Sequence, residues 1–435
     1  MIKSKKSPKF WLALVIFSLV GQVAWVVENM YLNVFIYKMF NASAQQISLM
    51  VAASAVTATV TTLLIGALSD KIGKRKLFIC GGYILWGISI LGFAMIREDI
   101  VHRTFFAMVS YNGAALGLCI TLTILLDCVM TFFGSSANDA AFNAWLTDTT
   151  DSSNRGAAEG INAMMPLVAI LAVFGGFMAF DLENAESWTA IFAIIGGVVI
   201  IVGLLGLLLI EEPKLSPTKD SYFGTVIHGF LPSTVRANGA LYFYLVAFIL
   251  FNISIQIFMP YLILYYEVSL KMANYVFVMA PAIVLASVVT AFWGKVYDRG
   301  GFGRSCAWSM VWLCAGYVLL FFFRGTAMVF VGSLLMMCGY LSGMAVFGAK
   351  IRDLTPVGKS GMFQGVRIFS QVLVPGVVGP FIGKTVLANA ETIVNSDGTE
   401  SFVPNAGIFL AALAVAAVLA ILLGAVSRHR RAAKK

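Results

Sequence analysis

The chain has 435 residues, 60% of them hydrophobic and 12% charged, with a net charge of +9 and a mean hydropathy of +0.88. Water-soluble proteins average about 45–50% apolar and about 25% charged residues, so this much apolar mass must face lipid. A soluble fold is excluded, and the basic residues argue against nucleic acid as a partner, because they cluster at positions 3–9, 71–76 and 428–435, beside apolar blocks.

Those blocks set the elements. A spanning helix needs ~20 apolar residues, and positions 187–210 and 406–426 carry no charge at all. Lipid cannot satisfy backbone N–H and C=O groups, which leaves helices or a closed barrel. Continuous apolar runs select helices, since barrel strands are short and alternating. The first block runs from Phe10 to about Tyr37, too long for a signal peptide and with no small-residue cleavage site after it. Spans are predicted at 10–37, 46–68, 77–96, 118–147, 158–180 and 187–210. A second set is predicted at 239–266, 272–293, 305–323, 326–349, 361–387 and 406–427. The six cysteines all fall in apolar stretches without metal-ligand spacing, which reads as packing.

The polar stretch 211–238, with Glu211-Glu212-Pro213 and Pro217, reads as a central cytoplasmic linker. The expected organisation is an N-terminal six-helix bundle (1–210), this linker, a C-terminal six-helix bundle (239–427) and a basic cytoplasmic tail (428–435). The fold class is therefore all-α integral membrane, with twelve transmembrane helices in two pseudo-symmetric bundles. With both termini cytoplasmic, the outer side holds only Lys38, Arg97, Arg103, Lys271, Arg324 and Lys384 of the thirty Lys and Arg. That asymmetry follows the positive-inside rule.

Residues 97–148 have length enough for two crossings, but an internal repeat argues for one. Asp148/Asp353, Thr150/Thr355, Gly156/Gly361, Glu159/Gln364 and Gly160/Gly365 pair at a constant offset of 205, and Gly66/Gly294 and Asp70/Asp298 at 228. Repeated loops belong on one side of the membrane. Parallel repeats of this kind typify transporters with a solute site between the halves.

The most specific motif is Gly66-Ala-Leu-Ser-Asp70-Lys-Ile-Gly73-Lys-Arg75-Lys76. Gly66 lets two helices approach, Asp70 can accept hydrogen bonds that latch the cytoplasmic face, and Gly73 permits a tight turn. Arg75 and its lysine neighbours suit the headgroup layer. Gly294, Asp298, Arg299, Gly303 and Arg304 form a degenerate second copy. This loop closely resembles the signature of the major facilitator superfamily. Within it, Asn138-Asp-Ala-Ala-Phe-Asn-Ala-Trp-Leu-Thr-Asp148, Arg155 and the pairs Glu159-Gly160 and Gln364-Gly365 resemble the glycoside–pentoside–hexuronide:cation symporter group. The resemblance implies cation-coupled solute transport. That group carries aspartates on span two and commonly a lysine midway along span eleven. Here residues 53–62 hold no carboxylate and no lysine stands on span eleven before Lys384, which shifts the expected coupling ion from sodium to a proton.

An ionised side chain inside the bilayer costs about 2.5–3.5 kcal/mol on insertion scales, so each one needs a reason. Glu28 lies deep in span one, and Trp25, Asn29 and Asn33 recur every four residues as an aromatic and amide face suited to a sugar-like solute. Span four carries Asp127, Asn138, Asp139 and Asn143. Glu28 and Asp139 are the leading proton carriers, with Asp127 and Asn138 as further coupling candidates. Asn143 on span four, Asn252 and Gln256 on span seven and Gln371 on span eleven are expected to meet solute. Arg367 gates, binds an anionic solute, pairs with a membrane carboxylate or snorkels to the cytoplasm. Asp148, Arg155, Asp353 and Lys359 read as gate ion pairs.

An enzyme is the rival class, but the histidines (His102, His228, His429) all lie in loops or the tail, and no phosphate-binding loop occurs. The expectation is a monomeric secondary transporter with no cofactor, metal or nucleic-acid partner, in the bacterial cytoplasmic membrane. Its partners are a small solute, a proton or sodium ion, and lipid. Proton-driven efflux of amphiphilic compounds is the alternative, left open by 34 Phe and 19 Met.

Overall fold

The computed structural model describes residues 6–105, 112–150, 154–212, 229–272, 274–356, 365–395 and 399–432. Among them, 12 helices are long and apolar enough to cross a membrane. Spans 1–6 are Pro8–Phe40, Ala44–Ser69, Arg75–Phe93, Ala114–Thr149, Gly160–Phe177 and Ala185–Leu209. Spans 7–12 are Gly239–Ser269, Val276–Trp293, Lys295–Phe322, Thr326–Leu354, Gly365–Val386 and Gly407–Ala425. The stretch 97–148 holds one span, preceded by a short helix Glu98–Phe105.

The chain divides into two compact units, Met1–Gly224 and Thr225–Lys435. Of the expected linker, residues 213–228 lie outside the described residues, as do 433–435 of the tail.

In the first unit, local chemistry sets the helix ends. Ser7 caps span 1 ahead of Pro8, and Ser43 and Gln46 form a reciprocal capping box at the start of span 2. Span 2 stops at Gly73, whose φ of 69° is left-handed. Spans 3 and 6 pack backbone to backbone: a Cβ on Gly87 would stand 2.6 Å from the Gly196 carbonyl oxygen. Phe17, Tyr83, Trp86, Phe142, Trp145 and Trp188 fill the interior. Leucines such as Leu49, Leu64 and Leu208 point outward, where lipid is the compatible solvent.

In the second unit, spans 9 and 10 make the same kind of close contact at Gly316 and Gly339. Span 7 is interrupted: its α-helix ends at Gln256, a 3₁₀ turn Met259–Tyr261 surrounds Pro260, and a π turn covers Tyr265–Ser269. Spans 8 and 9 are two helices that meet at a kink at Gly301, whose backbone (φ 66°, ψ 178°) is not helical. The break between the two spans falls at Gly301, which stands 228 positions after Gly73, the same offset that relates Asp70 to Asp298. A small antiparallel hairpin pairs Thr392–Val394 with Glu400–Phe402 between spans 11 and 12.

Candidate functional site

Two π turns shape the polar interior of the first unit. One covers Val27–Tyr31 on span 1, the other Ser135–Phe142 on span 4. A π turn inserts one residue into the helical ladder and re-aims the side chains beyond it, and such turns concentrate at functional sites. The first interrupts the four-residue spacing of Trp25, Asn29 and Asn33. Asn29 is exposed, whereas Asn33 is fully buried. Each amide donates to the backbone oxygen four residues earlier, Asn29 to Trp25 and Asn33 to Asn29.

Glu28 is 6% exposed. Its Oε1 accepts from the Ser54 hydroxyl at 2.6 Å and the Thr131 hydroxyl at 2.8 Å, and those hydroxyls stand 2.9 Å apart. Spans 1, 2 and 4 thus meet at a single carboxyl oxygen. Glu28 Oε2 has no hydrogen-bond partner, and neither has Oδ1 of Asp127, a residue 2% exposed. Asp127 and Asp139 both lie within electrostatic reach of Glu28. An unpaired buried acceptor is costly, and a proton or small cation supplies what these two oxygens lack.

Asp139 is better provided. Ser135 donates to its Oδ2 at 3.1 Å, Asn138 approaches its Oδ1 at 3.4 Å, and the Trp25 indole is within hydrogen-bonding reach. Asn138 accepts from the Tyr83 hydroxyl at 3.1 Å, an arrangement that requires Gly21, where a Cβ would stand 2.6 Å from each of those two polar groups. Asn143 is exposed and donates to the Asp139 backbone oxygen.

The signature loop forms a second cluster at the end of the same unit. Arg75, with its side chain 6% exposed, donates through Nε to Asp148 Oδ2 at 2.9 Å and through Nη1 to the Ser69 hydroxyl at 2.5 Å. Glu212 accepts from the backbone N–H groups of Arg75 and Lys76, at the positive end of span 3's helix dipole. The Trp145 indole holds the backbone of Glu211 at 3.0 Å. Spans 2, 3, 4 and 6 are tied together here. Gly66 accepts a hydrogen bond from Ser69. The side chains of Asp70, Arg155 and Glu159 lie outside the described residues, as do Lys359 and Gln364.

In the second unit, Asn252 is buried and donates to the Phe248 backbone. Gln256 packs against span 11, its Cβ 2.5 Å from the position of a Cβ on Gly379. Gln371 lies in the π turn Phe369–Leu373. Asp298 and Arg304 are exposed, and among the described residues Asp353 accepts from the Tyr297 hydroxyl at 2.5 Å. Sequence reasoning missed Ser54, Thr131, Tyr83, Gly21 and Glu212. Hydroxyl residues on an otherwise apolar span 2 were the one available signal.

No curated protein matches the chain. Among solved structures, a D-xylose-proton symporter is similar at 12% identity and a TM-score of 0.72, covering 95% of this chain and 97% of that one. A mutant of the nucleoside transporter NupG is similar at 13% identity and a TM-score of 0.71, covering 95% of this chain and 98% of that one. The xylose transporter XylE from E. coli, partially occluded and inward open, is similar at 15% identity and a TM-score of 0.67, covering 95% of this chain and 96% of that one. At these identities the likeness establishes the fold. The family model described as Major Facilitator Superfamily matches residues 10–380, most of the chain. The chain belongs to the Major Facilitator Superfamily and is a multi-pass secondary transporter of a small solute.

Proposed function

We propose that this transporter is a cation-coupled symporter, proton-driven rather than sodium-driven, which moves a sugar-like polar solute by alternating access. The carrying observation is the carboxyl of Glu28, held at one oxygen by hydroxyls from two other spans and left without a donor at the other. Protonation neutralises the buried carboxylate with no further ligand. Sodium asks for several oxygen ligands at once, and the resembling group's span-two aspartates are absent here. Asp127, with its own unmet oxygen, is the second coupling carboxyl, and Asp139 remains a third.

The solute named for a similar structure, D-xylose with a proton, agrees with this reading, as does the resemblance to the glycoside–pentoside–hexuronide:cation symporters. The protein acts as a monomer in the cytoplasmic membrane with both termini cytoplasmic. Residues 1–210 and 239–427 serve as its two working bundles, joined by 211–238.

The test is solute counterflow and gradient-driven uptake in proteoliposomes, over a panel of sugars, sugar acids, sugar phosphates and nucleosides. An inward proton gradient should drive uptake without sodium. Glu28→Gln should keep counterflow but lose accumulation by about tenfold or more, because exchange needs no net proton movement. Proton release from the vesicles on solute addition would establish antiport and overturn the proposal in favour of efflux.

A further inference from the structure

Among the described residues of the second unit, one charge has no answering partner. Arg367 lies near the start of span 11, and its Nε is sealed from solvent with no acceptor. Among the described residues it forms no ion pair and no hydrogen bond. Its guanidinium reaches over span 10 at Gly348, where a Cβ would stand 3.6 Å from Nη2. The charged group acting on it there is Arg352, of the same sign. Asp353 takes the Tyr297 hydroxyl, and both Asp353 and Asp298 are open to solvent. Arg352, Asp298 and Asp353 line a cavity of about 200 Å³ with Trp293 and Tyr297.

Arg367 is partly buried and Arg352 exposed, and two neighbouring cations repel unless an anion joins them. The guanidinium is also specialised for this purpose, because its planar fork matches carboxylate and phosphate oxygens two at a time. We propose that Arg367, backed by Arg352, is an oxyanion subsite that binds a carboxylate or phosphate group carried by the transported solute. The proposal rests on the symport reading and narrows its solute to an acidic sugar derivative. A phospholipid headgroup offers the same oxygens, and lipid composition separates the two sources.

The experiment places the wild type, Arg367→Gln, Arg367→Lys and Arg352→Gln in nanodiscs of phosphatidylcholine alone or with phosphatidylglycerol. Each is titrated with gluconate, glucose 6-phosphate and glucose while thermal unfolding is followed by tryptophan fluorescence. Gluconate or glucose 6-phosphate should bind the wild type equally in both lipids, and glucose about tenfold or more weaker. Charge-assisted hydrogen bonds of this kind, once lost, weaken binding by about tenfold or more, which is the effect expected of Arg367→Gln. Arg367→Lys should recover part of the affinity, and Arg352→Gln should fall between.

The subsite is overturned if neither acid binds the wild type, if glucose binds as well, or if Arg367→Gln leaves affinity unchanged. Stabilisation that follows phosphatidylglycerol alone makes Arg367 a headgroup anchor and likewise overturns it. Proton-driven uptake of a neutral sugar, unchanged in Arg367→Gln, sinks the subsite while symport stands. Failure of the gradient to drive any member of the solute panel sinks the symport reading itself.

Discussion

Arg75 shows how a signature residue acts through its partners. Basic side chains in membrane loops commonly contact headgroups, which is what the sequence suggests for this one. Instead its side chain is enclosed and shared between Ser69 and Asp148, while its own backbone N–H caps span 3 on Glu212. Breaking a buried ion pair at one partner costs about 3–5 kcal/mol, and the reverse replacement of both partners costs far less. Asp148 is 21% exposed at its side chain, so solvent screening reduces its share to about 1–3 kcal/mol. Arg75→Met should therefore lower the unfolding midpoint in detergent, and Arg75→Met with Asp148→Leu should recover part of the loss. A double variant no more stable than Arg75→Met would show that the Asp148 carboxylate costs nothing once its partner is gone. The chemistry of the loop was legible in its residues; the pairing was not, since Arg75 and Asp148 are 73 positions apart.

At the scale of elements, the two repeated loops turn at equivalent glycines with different backbone demands. Gly73 has φ 69° and ψ 19°, a left-handed geometry that asparagine also tolerates. Gly301 has φ 66° and ψ 178°, in a region essentially restricted to glycine. Nothing lies within 4 Å of a Cβ built at Gly301, so any cost there is conformational rather than steric. Gly301→Ala should destabilise by about 1–3 kcal/mol, and Gly73→Asn by clearly less, as read from thermal midpoints of the purified variants. Equal midpoints would contradict this ranking. The turn position was recoverable from the repeat offset, but not its backbone geometry, because a φ value leaves no mark in composition. The π turns were hidden for a similar reason: their extra residue is visible only once the hydrogen bonds are traced.

For the whole molecule, the prediction concerns sidedness. Six spans separate Lys74 from Arg299, so both belong on one side of the membrane, while Asp99 and Glu391 follow odd-numbered spans and belong on the other. In a background freed of native cysteines, Lys74→Cys and Arg299→Cys should react with an impermeant maleimide only from the cytoplasm. Asp99→Cys and Glu391→Cys should react only from outside. Any pair labelled from the wrong face would mean a miscounted crossing, with residues 97–148 the first stretch to re-examine.

The number of spans, their approximate limits and the transporter class follow from the amino-acid order alone. Hydrophobic length and the placement of basic residues are properties of short contiguous stretches, and lipid acts on each stretch separately. Which polar groups meet was decided only by tertiary structure. Glu28 finds its hydroxyl donors 26 and 103 positions away, Asn33 is turned into the interior beyond a π turn, and Arg367 is left beside a like charge. Those outcomes depend on how helices rotate and pack against one another, and a one-dimensional pattern carries no term for that.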